Sequence, residues 1–311
     1  MCGIAFYLNK GGSTHRARIT QIGENLTRSL AHRGPDNSSF WVDPNENLIL
    51  AHTRLAVIDP LARSNQPFVS PDGRYVIIFN GEIYNHNERR EELNKKWDWK
   101  TSSDTETLLA LLILLGPKKA LPKLTGMFAF CFYDRYQMIL IVGRDVFGEK
   151  PIYYGIGRKS AFLASDLAAF DAMPQVQLEI NRKAAAQFVQ YGYIPEPQTI
   201  YKNILKLPPG HFATLKVDNA TLGFNLKSYD QTVSVAVDKS IEVNTRTLSA
   251  MLDHSISQAS IADVPLGVFL SGGVDSSIVT AILAQKKSQE LRTFTVRFPN
   301  EGFDESKKAS R

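Results

Sequence analysis

Met127-Phe128-Ala129-Phe130-Cys131-Phe132 and, after a short polar connection, Met138-Ile139-Leu140-Ile141-Val142 are apolar at every position. A strand with one wet face alternates apolar and polar residues, so runs without alternation require cover on both faces. Asp134-Arg135-Tyr136-Gln137 between them reads as a tight connection, which makes the two runs neighbouring antiparallel strands. The architecture that satisfies them is a sheet covered by a second sheet on one side and by helices on the other. Cys131 lies inside this pattern and reads as packing, not chemistry.

Further strands are predicted at residues 2–8, 48–58 and 75–79, each short and bounded by turn residues. Helical spacing at 20–30, 87–94 and 105–115 supplies the cover. Beyond residue 183 a helix and a Pro-rich stretch lead to Leu207-Pro208-Pro209-Gly210-His211, a turn before another strand. Residues 219–244 are polar without periodicity and read as a linker. Leu248, Met251, Leu252, Ile256 and Ala259 then fall at helical spacing. A strand (265–270), a Gly-rich turn, a helix (276–287) and a second strand (292–298) form a βαβ unit opening a parallel sheet, and another helix begins near Asp304. The expected organisation is a first domain over 2–215, a linker over 216–245 and a second domain over 246–311.

The 311 residues suffice for two moderate cores. No apolar run approaches a membrane span and no basic-then-apolar leader opens the chain, so neither a membrane nor secretion is expected. With only Cys2 and Cys131 there is no disulfide framework, and a reducing cytoplasmic setting fits. The net charge of +5 is dispersed in short Lys pairs; these suit solvated faces better than a nucleic-acid surface.

The chemistry begins at Met1-Cys2-Gly3-Ile4-Ala5. Removal of the initiator methionine would make Cys2 both a thiol nucleophile and the bearer of a free α-amine. The amine titrates near about 8 and the thiol near about 8.5, so proton transfer between them is nearly balanced. A nucleophile and its base then share one residue. Arg54 ends a strand that otherwise reads as core, where a guanidinium suits a carboxylate held bidentately. Asn80, through its amide, and Gly81, through its N–H, follow the strand at 75–79 and make a two-donor oxyanion hole. Asp104 opens the helix at 105–115; it reads either as a partner for a substrate ammonium or as a plain N-cap. Together these groups suit an α-amino acid whose side-chain amide is cleaved, and glutamine is the natural candidate.

Cys2-Gly3-Ile4, His32-Arg33-Gly34-Pro35-Asp36, Arg54-Leu55-Ala56-Val57-Ile58-Asp59, Asn65-Gln66-Pro67, Asn80-Gly81-Glu82-Ile83-Tyr84-Asn85 and Ser103-Asp104-Thr105-Glu106 resemble the glutaminase domain of class II glutamine amidotransferases. Arg144-Asp145-Val146-Phe147-Gly148-Glu149-Lys150-Pro151-Ile152-Tyr153-Tyr154 narrows the resemblance to the asparagine synthetase family. It implies an α+β N-terminal-nucleophile αββα sandwich followed by the start of an α/β parallel-sheet domain, Rossmann-like with a pyrophosphate (PP) loop. It makes Cys2 the nucleophile and Asn80 and Gly81 the oxyanion donors. Arg54, Glu82 and Asp104 would hold glutamine, with backbone contacts from Leu55, Ala56, Val57 and Ile58. One departure is Asp230 after Tyr229, where the resembled enzymes usually carry Trp.

Leu270-Ser271-Gly272-Gly273-Val274-Asp275-Ser276-Ser277 lies between a strand and a helix, a setting able to cradle an anion. It lacks the Gly-Lys-Ser/Thr ending of the usual P-loop. The stretch resembles the pyrophosphate loop of enzymes that cleave ATP between its α- and β-phosphates. That implies Ser271, Gly272, Gly273, Asp275 and Ser276 on pyrophosphate, Leu270 and Val296 beside adenine, and Asp275 near Mg2+. The implied reaction is glutamine-dependent asparagine synthesis: ammonia from glutamine amidates an adenylated L-aspartate, giving AMP and pyrophosphate. The resemblance leaves the synthetase half cut short at Arg311, so the expectation for this chain is glutamine hydrolysis without asparagine formation. A homodimer is compatible with it. Rival readings are an amidotransferase acting on another carboxylate, such as a sugar acid of a polysaccharide, and a non-catalytic remnant. A β-lactam-forming synthetase, which does not keep the cysteine, is opposed by Cys2.

Overall fold

The computed structural model describes residues 1–11, 16–43, 48–93, 96–174, 176–218, 222–229, 241–286, 291–299 and 304–310. Asn94, Asp230, Lys287 and the 230–240 stretch of the expected linker lie outside them. The chain divides into two units, Met1–Gln231 and Thr232–Arg311.

The strands of the first unit are β1 (Gly3–Asn9), β2 (Asn37–Asp43), β3 (Leu48–Arg54), β4 (Phe68–Val69), β5 (Tyr75–Ile83), β6 (Gly126–Asp134), β7 (Ile139–Arg144), β8 (Tyr153–Ile156), β9 (Ser160–Ala164), β10 (Leu205–Lys206), β11 (His211–Lys216) and β12 (Asn225–Ser228). Its helices are α1 (Arg16–Ser29), α2 (His86–Leu93), α3 (Asp104–Leu115), α4 (Pro117–Ala120) and α5 (Arg182–Tyr191). Among the described residues the strands form two six-stranded sheets, β10-β8-β9-β1-β3-β2 and β12-β11-β7-β6-β5-β4. Every pairing in them is antiparallel.

The side chains of β6 explain the layering. Ala129, Cys131 and Tyr133 enter the core between the sheets, with Ile4, Phe6 and Leu8 of β1 and Leu48 and Leu50 of β3. Phe128, Phe130 and Phe132 point the other way and meet Leu108, Leu109, Leu111 and Leu112 of α3. The far face of the first sheet buries Ala5, Tyr7 and Ile49 beneath Ile19, Ile22 and Leu26 of α1. The layers therefore run helix, sheet, sheet, helix, as the doubly apolar strands require. Burying each large aromatic contributes about 2–3 kcal/mol. The β6–β7 turn closes because Asp134 Oδ1 accepts from the Tyr136 and Gln137 amides at 2.9 and 3.1 Å.

Several boundaries differ from the sequence expectation, three of them in the first unit by enough to matter. The strand expected over 48–58 stops at Arg54, whose guanidinium captures downstream carbonyls and turns the chain back. The strand expected over 75–79 runs on to Ile83, because Asn80, Gly81 and Glu82 keep their partners Ala129, Phe128 and Met127 on β6. The first unit also extends past residue 215 into the expected linker. There β12 pairs with β11, and the buried Tyr229 donates its hydroxyl to the Arg144 carbonyl at 2.6 Å.

In the second unit α6 (Ile241–Ala259) precedes β13 (Gly267–Phe269), α7 (Val274–Lys286), β14 (Arg292–Phe294) and α8 (Ser306–Ala309). β13 and β14 pair in parallel across α7, the βαβ unit read from the sequence. The second strand ends at Phe294, so Val296 lies beyond it and not on it.

Candidate active site

A pocket of about 180 Å³ opens where β1 begins, lined by Cys2 and by residues from β3, β5, β6, α3 and the loops after β3, before α3 and after β7. The Cys2 sulfur touches the backbone of the residue after Arg54: the Leu55 amide donates to Sγ at 3.4 Å, and Sγ lies 3.6 Å from the Leu55 carbonyl. Burial pushes the thiol up; the Leu55 contact, the N-terminal ammonium and Arg54 oppose it. Met1 is present, so the Cys2 nitrogen is a peptide amide and becomes an amine only when Met1 is removed.

Asn80 shares a face of β5 with Val76 and Ile78. Its side chain is buried, 1 % exposed, and neither Oδ1 nor Nδ2 has a hydrogen-bond partner. Leaving such a group unpaired costs about 1–3 kcal/mol. Gly81 follows on the same edge. The Phe79 amide donates outward to Gln66 Oε1 at 2.6 Å and the Ile83 amide to Asp104 Oδ2 at 3.0 Å. Strand alternation puts the Gly81 N–H between these two, on the pocket side. Glycine is needed there: a Cβ would lie 2.1 Å from the Met127 carbonyl oxygen. Asn80 and Gly81 thus present two donors from within the strand, where the sequence reading placed them after it.

Asp104 is the first residue of α3, and the N-cap is Ser103, whose hydroxyl accepts from the Thr105 amide at 3.2 Å. The capping alternative for Asp104 is therefore corrected. Burial pushes its carboxyl up to about 7, with Glu82 adding to the rise and the Ile83 amide opposing it. Glu82 also lines the pocket; burial raises it and Lys150 pulls it back.

Arg54 differs from its expected role. Nη1 donates to the Leu61 carbonyl (3.0 Å) and Asn65 Oδ1 (2.8 Å), and Nη2 to the Ile58 (3.2 Å) and Asp59 (2.5 Å) carbonyls. The expected bidentate grip on a carboxylate would have to break these bonds. Here the guanidinium instead holds the loop that carries Leu55, Val57 and Ile58 to the pocket wall. Ala56 does not line the pocket; its amide donates to Asp36 Oδ2 at 2.8 Å, binding the loop to the His32–Asp36 turn.

Gln66 and Lys150 are among the lining residues that carried no role in the sequence reading. Gln66 joins β5 to α3 through Phe79 and through Thr105 Oγ1, at 3.1 Å. Lys150 reaches the pocket although it is 148 positions from Cys2 (150 − 2). A lone lysine between apolar strand ends gives no sign of burial, but its place in the quoted Arg144–Tyr154 run marks the segment.

In the second unit, Ser271, Gly272 and Gly273 lead into α7, with Gly272 at φ +76°. The Ser276 hydroxyl accepts from the Ser271 amide at 3.3 Å and donates to the Gly273 carbonyl at 3.2 Å. Asp275 is exposed in the first turn of α7. Leu270 leads into the turn, its carbonyl accepting from Thr295 Oγ1 at 2.7 Å. Backbone N–H groups, hydroxyls and a helix N-terminus fit the chemistry of an anionic phosphate. Among the described residues no group of three or more His, Cys, Asp or Glu side chains is placed to hold a metal.

A half-buried thiol thus shares a pocket with the Asn80 amide, the Gly81 backbone and an acidic helix start. Residues 1–229 match the glutamine amidotransferase domain family and 247–311 the asparagine synthase family. The chain belongs to the glutamine amidotransferase domain family, with a partial asparagine synthase domain after it. It is 34% identical over 307 residues to asparagine synthetase [glutamine-hydrolyzing] 1 of Bacillus subtilis, covering 98% of this chain and 47% of that protein. A putative asparagine synthetase [glutamine-hydrolyzing] of Mycobacterium tuberculosis is 34% identical over 328 residues, 98% of this chain and 49% of that one. The chain thus spans about half the length of these relatives. In structure it is similar to glutamine phosphoribosylpyrophosphate amidotransferase of B. subtilis, with a TM-score of 0.53 at 18% identity over 97% of this chain and 68% of that one. That likeness concerns the fold, the N-terminal-nucleophile αββα sandwich. No helix among the described residues is long and apolar enough to cross a membrane.

Proposed function

We propose that Cys2, freed of Met1, hydrolyses L-glutamine and that the ammonia amidates an ATP-activated carboxylate, with L-aspartate as the acceptor and asparagine as the product. The observation that carries the first half is the buried, unpartnered Asn80 amide on the wall of the Cys2 pocket. An unpaired buried donor is costly in the free protein and gains its partner when charge develops on an oxygen in front of it.

The Cys2 α-amine takes the thiol proton, and Sγ attacks the side-chain carbonyl carbon of glutamine. The oxygen, now an anion, is received by Asn80 Nδ2 and the Gly81 N–H, each donor contributing about 3 kcal/mol. Collapse breaks the C–N bond; the leaving nitrogen takes the proton from the Cys2 ammonium and departs as ammonia. Water then cleaves the thioester, releasing glutamate. Asp104 and Glu82 receive the substrate ammonium. Its α-carboxylate meets the field of Arg54 and the loop bearing Leu55, Ala56, Val57 and Ile58.

For the second half, bound ATP would supply the adenylation that turns a carboxylate into an acceptor for ammonia. Ser271, Gly272, Gly273 and Ser276 would hold its phosphates, Asp275 an accompanying Mg2+, and Leu270 and Val296 would flank the adenine. Aspartate is inferred from the names of the relatives. A free thiol nucleophile suits a reducing compartment, which favours the cytoplasm.

The test is release of glutamate and ammonia from glutamine by the intact chain and by Cys2→Ser, with a parallel assay for asparagine after ATP and aspartate are added. We expect hydrolysis by the wild type and none above background by Cys2→Ser; asparagine formed in the wild-type assay would support the acceptor half of the reading. Equal hydrolysis by both proteins would overturn the glutaminase reading.

A further inference from the structure

We propose that Lys150 is a positioning residue for the Cys2 nucleophile: its ammonium, delivered into the pocket by a preformed turn, favours the thiolate and the unprotonated α-amine together. The proposal rests on the glutaminase reading and assigns the group that poises its nucleophile.

The turn is built for this delivery. Asp145 is buried, and its carboxylate collects four amides. Oδ1 accepts from Phe147 (3.1 Å) and Glu149 (2.9 Å), and Oδ2 from Phe128 (3.2 Å) and Lys150 (3.1 Å). Arg144 clasps the same turn from the other side, Nε donating to the Lys150 carbonyl at 3.0 Å and Nη2 to the Gly148 carbonyl at 2.6 Å. The backbone of Lys150 is thus fixed at both its N–H and its C=O. Its side chain, in a residue only 7 % exposed, lines the pocket with Cys2, Met1 and Glu82. A buried lysine is expensive to place unless its charge has a task or a partner.

The surrounding charges set the sign. Glu82 from β5, Glu149 from the turn itself and the Cys2 sulfur favour the charged lysine; burial, which is the larger effect, and Arg33 from the turn after α1 disfavour it. Burial, Lys150 and Arg33 lower the amine of Met1, one residue before the nitrogen that becomes the Cys2 α-amine, against Cys2 and Glu82. At the thiol, Asp104 from α3 acts upward and Arg54 from β3 downward. Lys150 lines the same pocket as the Cys2 thiol and Met1; a cation there stabilises a thiolate and disfavours an ammonium formed at the Cys2 nitrogen. It carries no proton in the reaction.

The experiment compares wild type, Lys150→Arg, Lys150→Met and Lys150→Gln in the intact chain. One readout is the pH midpoint of Cys2 alkylation by iodoacetamide, the other the acid limb of kcat/KM for glutamine hydrolysis. Lys150→Met and Lys150→Gln should move both upward by about one pH unit, about tenfold in rate on the acid side, with Lys150→Arg restoring them. Glu82→Gln, which removes the opposing charge, should move the alkylation midpoint downward and serves if the lysine variants do not fold. Unchanged midpoints, or a rise in KM alone, would overturn the proposal. A wild type that releases no ammonia would sink the glutaminase reading instead, while the alkylation midpoint still reports on Lys150.

Discussion

The two units of this chain dispose of their apolar residues differently. In the first, Phe128, Phe130 and Phe132 are sealed between β6 and α3, and the residues of the Cys2 pocket stand at the end of that closed sandwich. In the second, Phe269 is 79 % and Phe294 55 % exposed on a two-stranded parallel sheet. A parallel sheet is normally covered on both faces, and this one has an anion-suited turn without such cover. The pocket that carries Cys2, Asn80, Gly81 and Asp104 therefore sits within one packed unit, whereas the Ser271–Gly273 turn follows a strand whose Phe269 stays exposed.

The sharpest way to break this contrast is at the oxyanion donors. Asn80→Ala should lower kcat for glutamine hydrolysis about 10²–10³-fold with little change in KM. The melting temperature should hold or rise, because the variant removes an unpaired buried amide. Loss of stability with unchanged kcat would assign Asn80 to the fold. Next comes packing. Phe130→Ala should destabilise the first unit by about 3–5 kcal/mol in chemical denaturation, whereas Phe294→Ala should change stability by less than about 1 kcal/mol.

Asp104 gives a pH signature. With its folded pKa raised to about 7 by burial, the folded state holds a proton that the unfolded chain loses near 3.8. This group's contribution to stability therefore falls as pH rises from about 4 to about 7, and Asp104→Asn should flatten that part of the stability profile. Glutamine KM in the wild type should improve as pH rises through about 7, where the carboxylate forms to meet the substrate ammonium. The smallest effect belongs to the second unit: Val296→Asp should leave glutamine hydrolysis within about twofold.

How much was legible follows from where each signal lies. The layers could be read because β6 and β7 display their burial locally, residue by residue. The polar edge strands could not: Asn37–Asp43 and Asn225–Ser228 are held by ladders to β3 and β11 that no local pattern announces. Cys2, Asn80, Gly81 and Asp104, singled out by type and motif, line one pocket. The geometry of Arg54 was hidden, since its four acceptors belong to a loop whose path depends on the arginine itself. Lys150 was hidden because the pocket it lines is shared with Cys2 and Glu82, far from it in the sequence.

The most direct trial of the account is mass spectrometry of the N-terminal peptide after incubation with a glutamine-derived diazoketone. A chain that starts at Cys2 and carries one adduct on its sulfur is the predicted result. A chain that keeps Met1, hydrolyses glutamine and leaves Cys2 unmodified would contradict it.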